Sequence, residues 1–234
     1  MKRNIRLFTN SAIIAIALFF GCSKHNTPLI NLPNTPAIDT TKINGTVEKG
    51  PFIRGSIVTV FELDSNLDAT GKSFKTEVQD DKGSFSFDIP KLSTKYIRIS
   101  ANGIYFDEME GQLSASPITL NAILDVEKSK NVHINVLTHL EEIRVKHFLK
   151  TEKTSFFDAK VKALNEISKA FYLKSFPTLN SDQITIMKNN EDSNILIGIS
   201  STLLNISKSE KINLKDVLDN FPICFHHLYE FHHS

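Results

Sequence analysis

Four groups of side chains in this chain have residue types that chemistry uses. His139 follows Thr138 and precedes Glu142 and Arg144. An imidazole titrates near neutral pH, and a hydrolase built on it needs a nucleophile and an orienting acid nearby. Thr138 is adjacent in sequence, but successive helical residues point apart. Glu142 and Arg144 suit pairing along the helix surface, so a satisfied histidine at a helix start is the better reading. Gly103-Ile104-Tyr105-Phe106-Asp107-Glu108 sets two aromatics beside two acids. Aromatic faces stack on sugar rings and carboxylates accept from their hydroxyls, which makes Tyr105, Phe106 and Glu108 a candidate binding platform; the plainer reading is a strand end with a solvated rim. Asp64, Asp68, Asp80 and Asp81 offer the oxygen ligands that calcium takes, but without the spacing of a calcium loop. Cys224, His226, His227, His232 and His233 crowd the last residues, and thiolate and imidazole suit zinc or copper. Those histidines stand in adjacent pairs, unlike the spaced pairs of structural zinc sites, so no metal and no cofactor is assigned.

The chain lacks a phosphate-binding Gly loop, His-Glu-x-x-His, Gly-x-Ser-x-Gly and a spaced Cys-x-x-Cys. This favours a protein without catalytic activity, with no catalytic residue assigned.

The start of the chain sets an address. Lys2, Arg3 and Arg6 precede an apolar run from Ser11 to Phe20, and Gly21-Cys22 follows. A run of about ten residues is half of what a membrane-spanning helix needs. It matches the core of a secretory signal, behind a positive flank and ahead of a small residue. Leu18-Phe19-Phe20-Gly21-Cys22 reads as a lipoprotein cleavage box: Cys22 takes the lipid, cleavage falls before it, and several acyl chains anchor durably where one is marginal. Residues 1–21 are then the signal peptide. Residues 22–40, with Pro28, Pro33 and Pro36 among polar residues, form a tether off the membrane.

Cleavage leaves 213 residues with 24 Lys+Arg against 26 Asp+Glu. That balance, without a basic stripe, argues against nucleic acid as a partner. With Cys22 committed to lipid, Cys224 has no cysteine left to pair with, so stability must come from a core filled by Phe, Ile and Leu.

Residues 41–124 read as a small β-sandwich. Strands are expected at 43–47, 56–63, 74–79, 84–89, 96–102 and 118–124, with Phe85, Phe87 and Ile89 alternating against Ser84, Ser86 and Asp88. Asp80-Asp81-Lys82-Gly83 suits a hairpin turn. Gly50-Pro51-Phe52 reads as a tight turn anchored by Phe52 in the core. Residues 125–131 are a connector, and 131–136 a last short strand. Residues 125–221 then read as a helical domain, with helices at about 137–150, from Ser155 onward, at 192–206 and at 214–221. Ser155 with Asp158 suggests a capping box. Ile195, Leu196, Ile199, Leu203 and Ile206 make the third helix apolar and central to a small bundle. Residues 222–234 change composition abruptly, as a truncated or frame-shifted end would.

Three resemblances follow from these residues. Phe19-Phe20-Gly21-Cys22 resembles lipoprotein boxes of Bacteroidota. Thr76, Asp81, Gly83, Phe85, Phe87, Tyr96-Ile97-Arg98-Ile99 and Gly103-Ile104-Tyr105 resemble carboxypeptidase-regulatory-like or Cna-B-like domains, which are transthyretin-like sandwiches. That implies a spacer, stabiliser or binding unit. Some such domains carry a Lys–Asn crosslink, for which Lys42 or Lys49 would supply the amine, with the partner left open. Asn135-Val136-Leu137-Thr138-His139-Leu140 after a β domain with Gly-Pro-Phe and Gly-x-Tyr-Phe resembles a recurrent bacterial lipoprotein pattern.

The expectation is an α+β multidomain chain: a transthyretin/Ig-like β-sandwich, then a small α-helical bundle. It is lipid-anchored in a bacterial envelope, on the outer membrane, facing the periplasm or the cell surface. It binds or scaffolds a protein or glycan. The alternatives are glycan capture in nutrient uptake, through Tyr105 and Phe106, and a hydrolase using His139.

Overall fold

Strict alternation of apolar and polar residues marks a strand with one covered face. In the computed structural model, which describes residues 40–107 and 109–221, such strands build two facing sheets. In chain order they are β1 (Thr40–Glu48), β2 (Ile57–Leu63), β3 (Ala69–Glu77), β4 (Ser84–Pro90), β5 (Tyr96–Gly103), β6 (Phe106–Asp107), β7 (Gln112–Leu113), β8 (Ile118–Asp125) and β9 (Asn131–Asn135). One sheet has the order β4-β1-β9 and the other β3-β2-β5-β8; β6 and β7 pair separately. The helices are α1 (Val136–Thr151), α2 (Phe156–Ala170) and α3 (Glu191–Glu210), with a 3₁₀ turn at Ser181–Gln183 and a helical segment at 214–221. The protein is therefore mixed α+β, with largely antiparallel sheets followed by helices. Among the described residues no helix is long and apolar enough to cross a membrane.

The inward residues of both sheets, among them Ile43, Val47, Phe85, Val58, Val60, Ile99 and Leu120, form one core. That core continues without a break into Leu137, Leu140, Leu164, Leu196 and Leu203 of the helices. β8 is covered on both sides. Leu120, Ala122 and Leu124 join the sandwich core, while Ile123 packs with Val145 and Phe148 of α1 and Ala159 and Ala163 of α2. The expected strand at 131–136 is β9, and it runs parallel to β1, Glu48 lying opposite Asn135. That pairing requires a glycine in β1: a Cβ on Gly45 would lie 2.2 Å from the Val132 carbonyl oxygen.

The turn expected at Asp80–Gly83 forms. Asp80 Oδ1 accepts from the Lys82 and Ser84 N–H groups, and Gly83 takes φ +81°. It does not close a hairpin, however, because β3 and β4 lie in different sheets. Gly83 is pressed against β1, where a Cβ would meet the Val47 oxygen at 2.4 Å, so the turn carries the chain across the sandwich. Ser155 caps α2 as expected by accepting from the Asp158 N–H, but the Asp158 carboxylate accepts from the Ser155 hydroxyl at 2.6 Å. Phe52 is fully buried and its ring stacks on Tyr105 at 6.1 Å.

Asn135-Val136-Leu137-Thr138 is the joint between sheet and helices. Asn135 is the N-cap of α1, and with Thr138 it completes a reciprocal capping box. The Thr138 hydroxyl also donates to the Asn121 oxygen of β8 at 2.8 Å. Asn135 Nδ2 donates to the Ser181 and Ile184 carbonyls at 3.0 and 2.8 Å. Removing this side chain loses a cap and orphans two buried acceptors. Asn135→Ala should therefore lower unfolding free energy by roughly 3–5 kcal/mol in urea titrations. Asn135→Asp, which keeps the cap but not the donors, should be comparably damaging; wild-type stability in that variant would show that the donors contribute nothing.

Candidate functional site

The sequence candidates divide. Tyr105 is only 4% exposed, held between Phe52 and Lys49, whose Nζ sits 5.3 Å from the Tyr105 ring centre. Phe106 is exposed, Asp107 caps the following turn by accepting from the Met109 N–H, and Glu108 lies outside the described residues. Tyr105 and Asp107 line a cleft of about 430 Å³ with Gln112, Ser114 and Lys208. Cys22, the signal, the tether and the tail from 222 onward, with Cys224, His226, His227, His232 and His233, also lie outside the described residues.

His139 is buried, with Nε2 3.4 Å from Asp219 Oδ1 and Nδ1 without a hydrogen-bond partner among the described residues. Burial pulls its pKa below the ordinary histidine value, against the pull of Asp219 and Glu142. The Thr138 hydroxyl is spent on the Asn121 and Asn135 carbonyls. Arg144 binds Glu166 through two nitrogens at 2.6 and 2.9 Å. The acids weighed for calcium serve turns and an ion pair: Asp64 accepts from Asn66 and Asp68, Asp81 from the Arg54 N–H, and Asp68 binds Lys150. Among the described residues no group of three or more His, Cys, Asp or Glu is placed to hold a metal. Lys42 is exposed and Lys49 buried.

A larger cleft, about 570 Å³, opens where the ends of β5 and β8 meet the α1–α2 junction and the 3₁₀ turn. That volume lies in the range of small-molecule sites. Its lining includes Tyr96, Leu124, Leu149 and Phe156, with Lys95, Lys128, Lys153, Lys160, Asp125 and Asp182. Tyr96 and Phe156 pack at 5.0 Å between ring centres. Lys95 sits 3.2 Å from Asp125 and over the Tyr96 ring.

The cleft floor is a buried ion cluster. Lys160 of α2 is 2% exposed, and its Nζ lies 2.8 Å from Glu141 of α1 and 2.9 Å from Asp182 of the 3₁₀ turn. Burial pushes the Glu141 carboxyl up, with Lys160 opposing it. Burial works against the Lys160 charge too, but the two carboxylates outweigh it and raise its pKa. The loop that leads into the lining residues Lys95 and Tyr96 is held at Ser93 by Glu62, whose side chain is fully buried. It accepts from the Ser93 N–H at 2.6 Å, the Ser93 hydroxyl at 2.9 Å and the Thr70 hydroxyl at 2.7 Å, and pairs with Lys72. Burial raises its pKa, but these donors prevail and hold it at about 2.

Sequence reading missed this cleft, although a signal existed. Lys160 lies between Phe156, Ala159, Ala163 and Leu164 on the apolar stripe of α2, and Glu141 lies in the apolar register of Leu137, Val145 and Phe148 on α1. Charges placed in a helix's apolar stripe must find partners inside.

No family model matches this chain. No curated protein matches it either.

Two outcomes follow. Lys160→Met should cost about 3–5 kcal/mol at neutral pH by leaving two buried carboxylates unpaired, and part of that loss should return on acidification as they protonate. Because the folded-state pKa of Glu62 is depressed, its stabilisation is complete above pH 4.5 and is lost as pH falls toward about 2. Glu62→Gln should flatten that acid limb in urea titrations across the same window; an unchanged limb would assign it to other carboxylates.

Proposed function

We propose that this chain is a lipid-anchored bacterial envelope protein whose folded part is a binding or scaffolding module without catalysis. The open cleft of about 570 Å³ beside Tyr96, Phe156 and four lysines is the observation that carries the binding half of this reading. It is walled by side chains from β5, β8, α1, α2 and the 3₁₀ turn, so its shape is set by the joint between sheet and helices. A site positioned by several rigid elements suits recognition of a ligand or partner. The anchoring half rests on the short apolar run and Gly21-Cys22. Outer-membrane attachment, facing periplasm or cell surface, goes with it. The sandwich is read as carboxypeptidase-regulatory-like or Cna-B-like, supported by its Gly83 turn and by the meeting of Phe52 with Tyr105. A protein or glycan is the expected partner, and nucleic acid is not.

A second reading, glycan capture in nutrient uptake, is favoured by the 430 Å³ cleft that Tyr105 lines with Asp107, Gln112, Ser114 and Lys208. These hydrogen-bonding groups beside an aromatic suit a sugar.

Cells grown with labelled palmitate should incorporate label into the wild-type chain and none into Cys22→Ala, which should move to the soluble fraction. Label or membrane attachment surviving in Cys22→Ala would overturn the anchor. Protease shaving of intact cells, with a periplasmic control protein, then assigns the side: cleavage means outward display, and protection until the outer membrane is opened means the periplasm.

A further inference from the structure

We infer that the 570 Å³ cleft binds a small amphipathic anion, with its apolar body against Tyr96, Leu149 and Phe156 and its carboxylate or sulfonate between Lys128 and Lys153; this rests on the binding-module reading above.

Charge pairing around the cleft supports this. Its two acids are already matched from within the protein. Asp125 is held by Lys95 at 3.2 Å, and Asp182 by Lys160 at 2.9 Å. Lys160 is in turn shared with Glu141. The remaining charged groups of the lining, Lys128 and Lys153, make no ion pair among the described residues, and both are exposed. They enter from different elements, Lys128 from the turn between β8 and β9 and Lys153 from the junction of α1 and α2. A ligand anion seated between them is attracted by two cations without displacing an existing partner.

The floor contributes differently. Lys160 lies between two carboxylates and is almost fully buried, so it offers no free charge to a ligand. Leu124, Leu149, Phe156 and Tyr96 then present apolar and aromatic surface inside a rim that carries the charge. An apolar interior with a few placed polar groups is the usual pattern of a small-molecule site. A neutral sugar would leave the unpaired lysines unused.

The probes are 8-anilinonaphthalene-1-sulfonate and N-phenyl-1-naphthylamine, which share an aromatic body and differ in the sulfonate. Fluorescence titration of the folded, tag-free mature chain should show one saturable site for the sulfonate and weaker binding of the neutral amine. Lys128→Ala combined with Lys153→Gly should weaken the sulfonate at least tenfold and leave the amine unchanged. Lys153 sits at φ +55°, a conformation glycine adopts freely, so the second substitution should keep or raise the melting temperature and separate lost binding from lost folding. Phe157, 54% exposed on the cleft lining, supplies a second surface variant. Phe157→Ser should weaken both probes. Equal binding of the two probes, both weakened by Phe157→Ser, would overturn the anion assignment while leaving the cleft a binding site. Sulfonate binding unchanged in the lysine variant would also overturn it. Failure of both probes to bind would overturn the site together with the binding reading of the cleft.

Discussion

The side chains of Asn135 and Glu48 hold in place a segment that has little structure of its own. They face each other across the parallel pair of β1 and β9, and both are buried. Between them they satisfy the stretch 181–186, which has only one 3₁₀ turn. Asn135 donates to the Ser181 and Ile184 carbonyls, and Glu48 accepts from the Thr185 hydroxyl and the Ile186 N–H at 2.8 Å. A buried irregular segment must find partners for its backbone polar groups or bear their desolvation. Here the end of a parallel strand pair provides them. Burial acts to raise the Glu48 pKa, yet hydrogen bonds from His133, Thr46, Thr185 and Ile186 pull it below the ordinary carboxylate range. The acid is thus held charged as a hub of donors. The same segment carries Asp182, so the position of Lys160 and the floor of the larger cleft depend on this anchorage.

Much of the fold was legible as local pattern. Alternation of period two locates β4 and β5, and helical period locates α1, α2 and α3 within a few residues. Cap chemistry locates Ser155. What local pattern does not carry is which sheet a strand joins. Asp80–Gly83 has the residues of a tight turn whether or not the strands beside it pair, and here it crosses from one sheet to the other. The start of β3 was also hidden, because Ala69–Ser73 is an exposed edge with no apolar face to reveal it. The parallel pairing of β1 and β9 connects residues some 87 positions apart, and its one local trace is Gly45, small enough to let the Val132 carbonyl approach.

The site was less legible, for a related reason. Tyr105 and Phe106 drew attention as adjacent aromatics, yet Tyr105 is largely committed to Phe52 and Lys49. The motifs Gly50-Pro51-Phe52 and Gly103-Ile104-Tyr105 are two halves of one packing contact, bridged backbone to backbone between Phe52 and Tyr105. Asn135-Val136-Leu137-Thr138 likewise marks a helix cap and a docking point on β8. The conspicuous motifs of this chain are therefore joints. The larger cleft draws short stretches from segments spread between Ser65 and Asp182, so no one local motif announces it.

Those joints bear on the cleft's charge as well as its shape. A chain with nearly equal numbers of acids and bases gives no hint of a positive site. Local sign is set by pairing rather than by count. Glu62 fixes the loop that presents Lys95, Lys95 takes up Asp125, and the 181–186 anchorage delivers Asp182 to Lys160. Each pairing sets a carboxylate of the cleft against a lysine, and Glu141 shares Lys160 behind the floor. Lys128 and Lys153 are left facing the opening. Buried pairs contribute little net stability compared with apolar packing of the same volume. Their consequence here is electrostatic: they give the acids of the cleft partners within the protein and leave two lysines at the rim, where water can solvate them until an anion arrives.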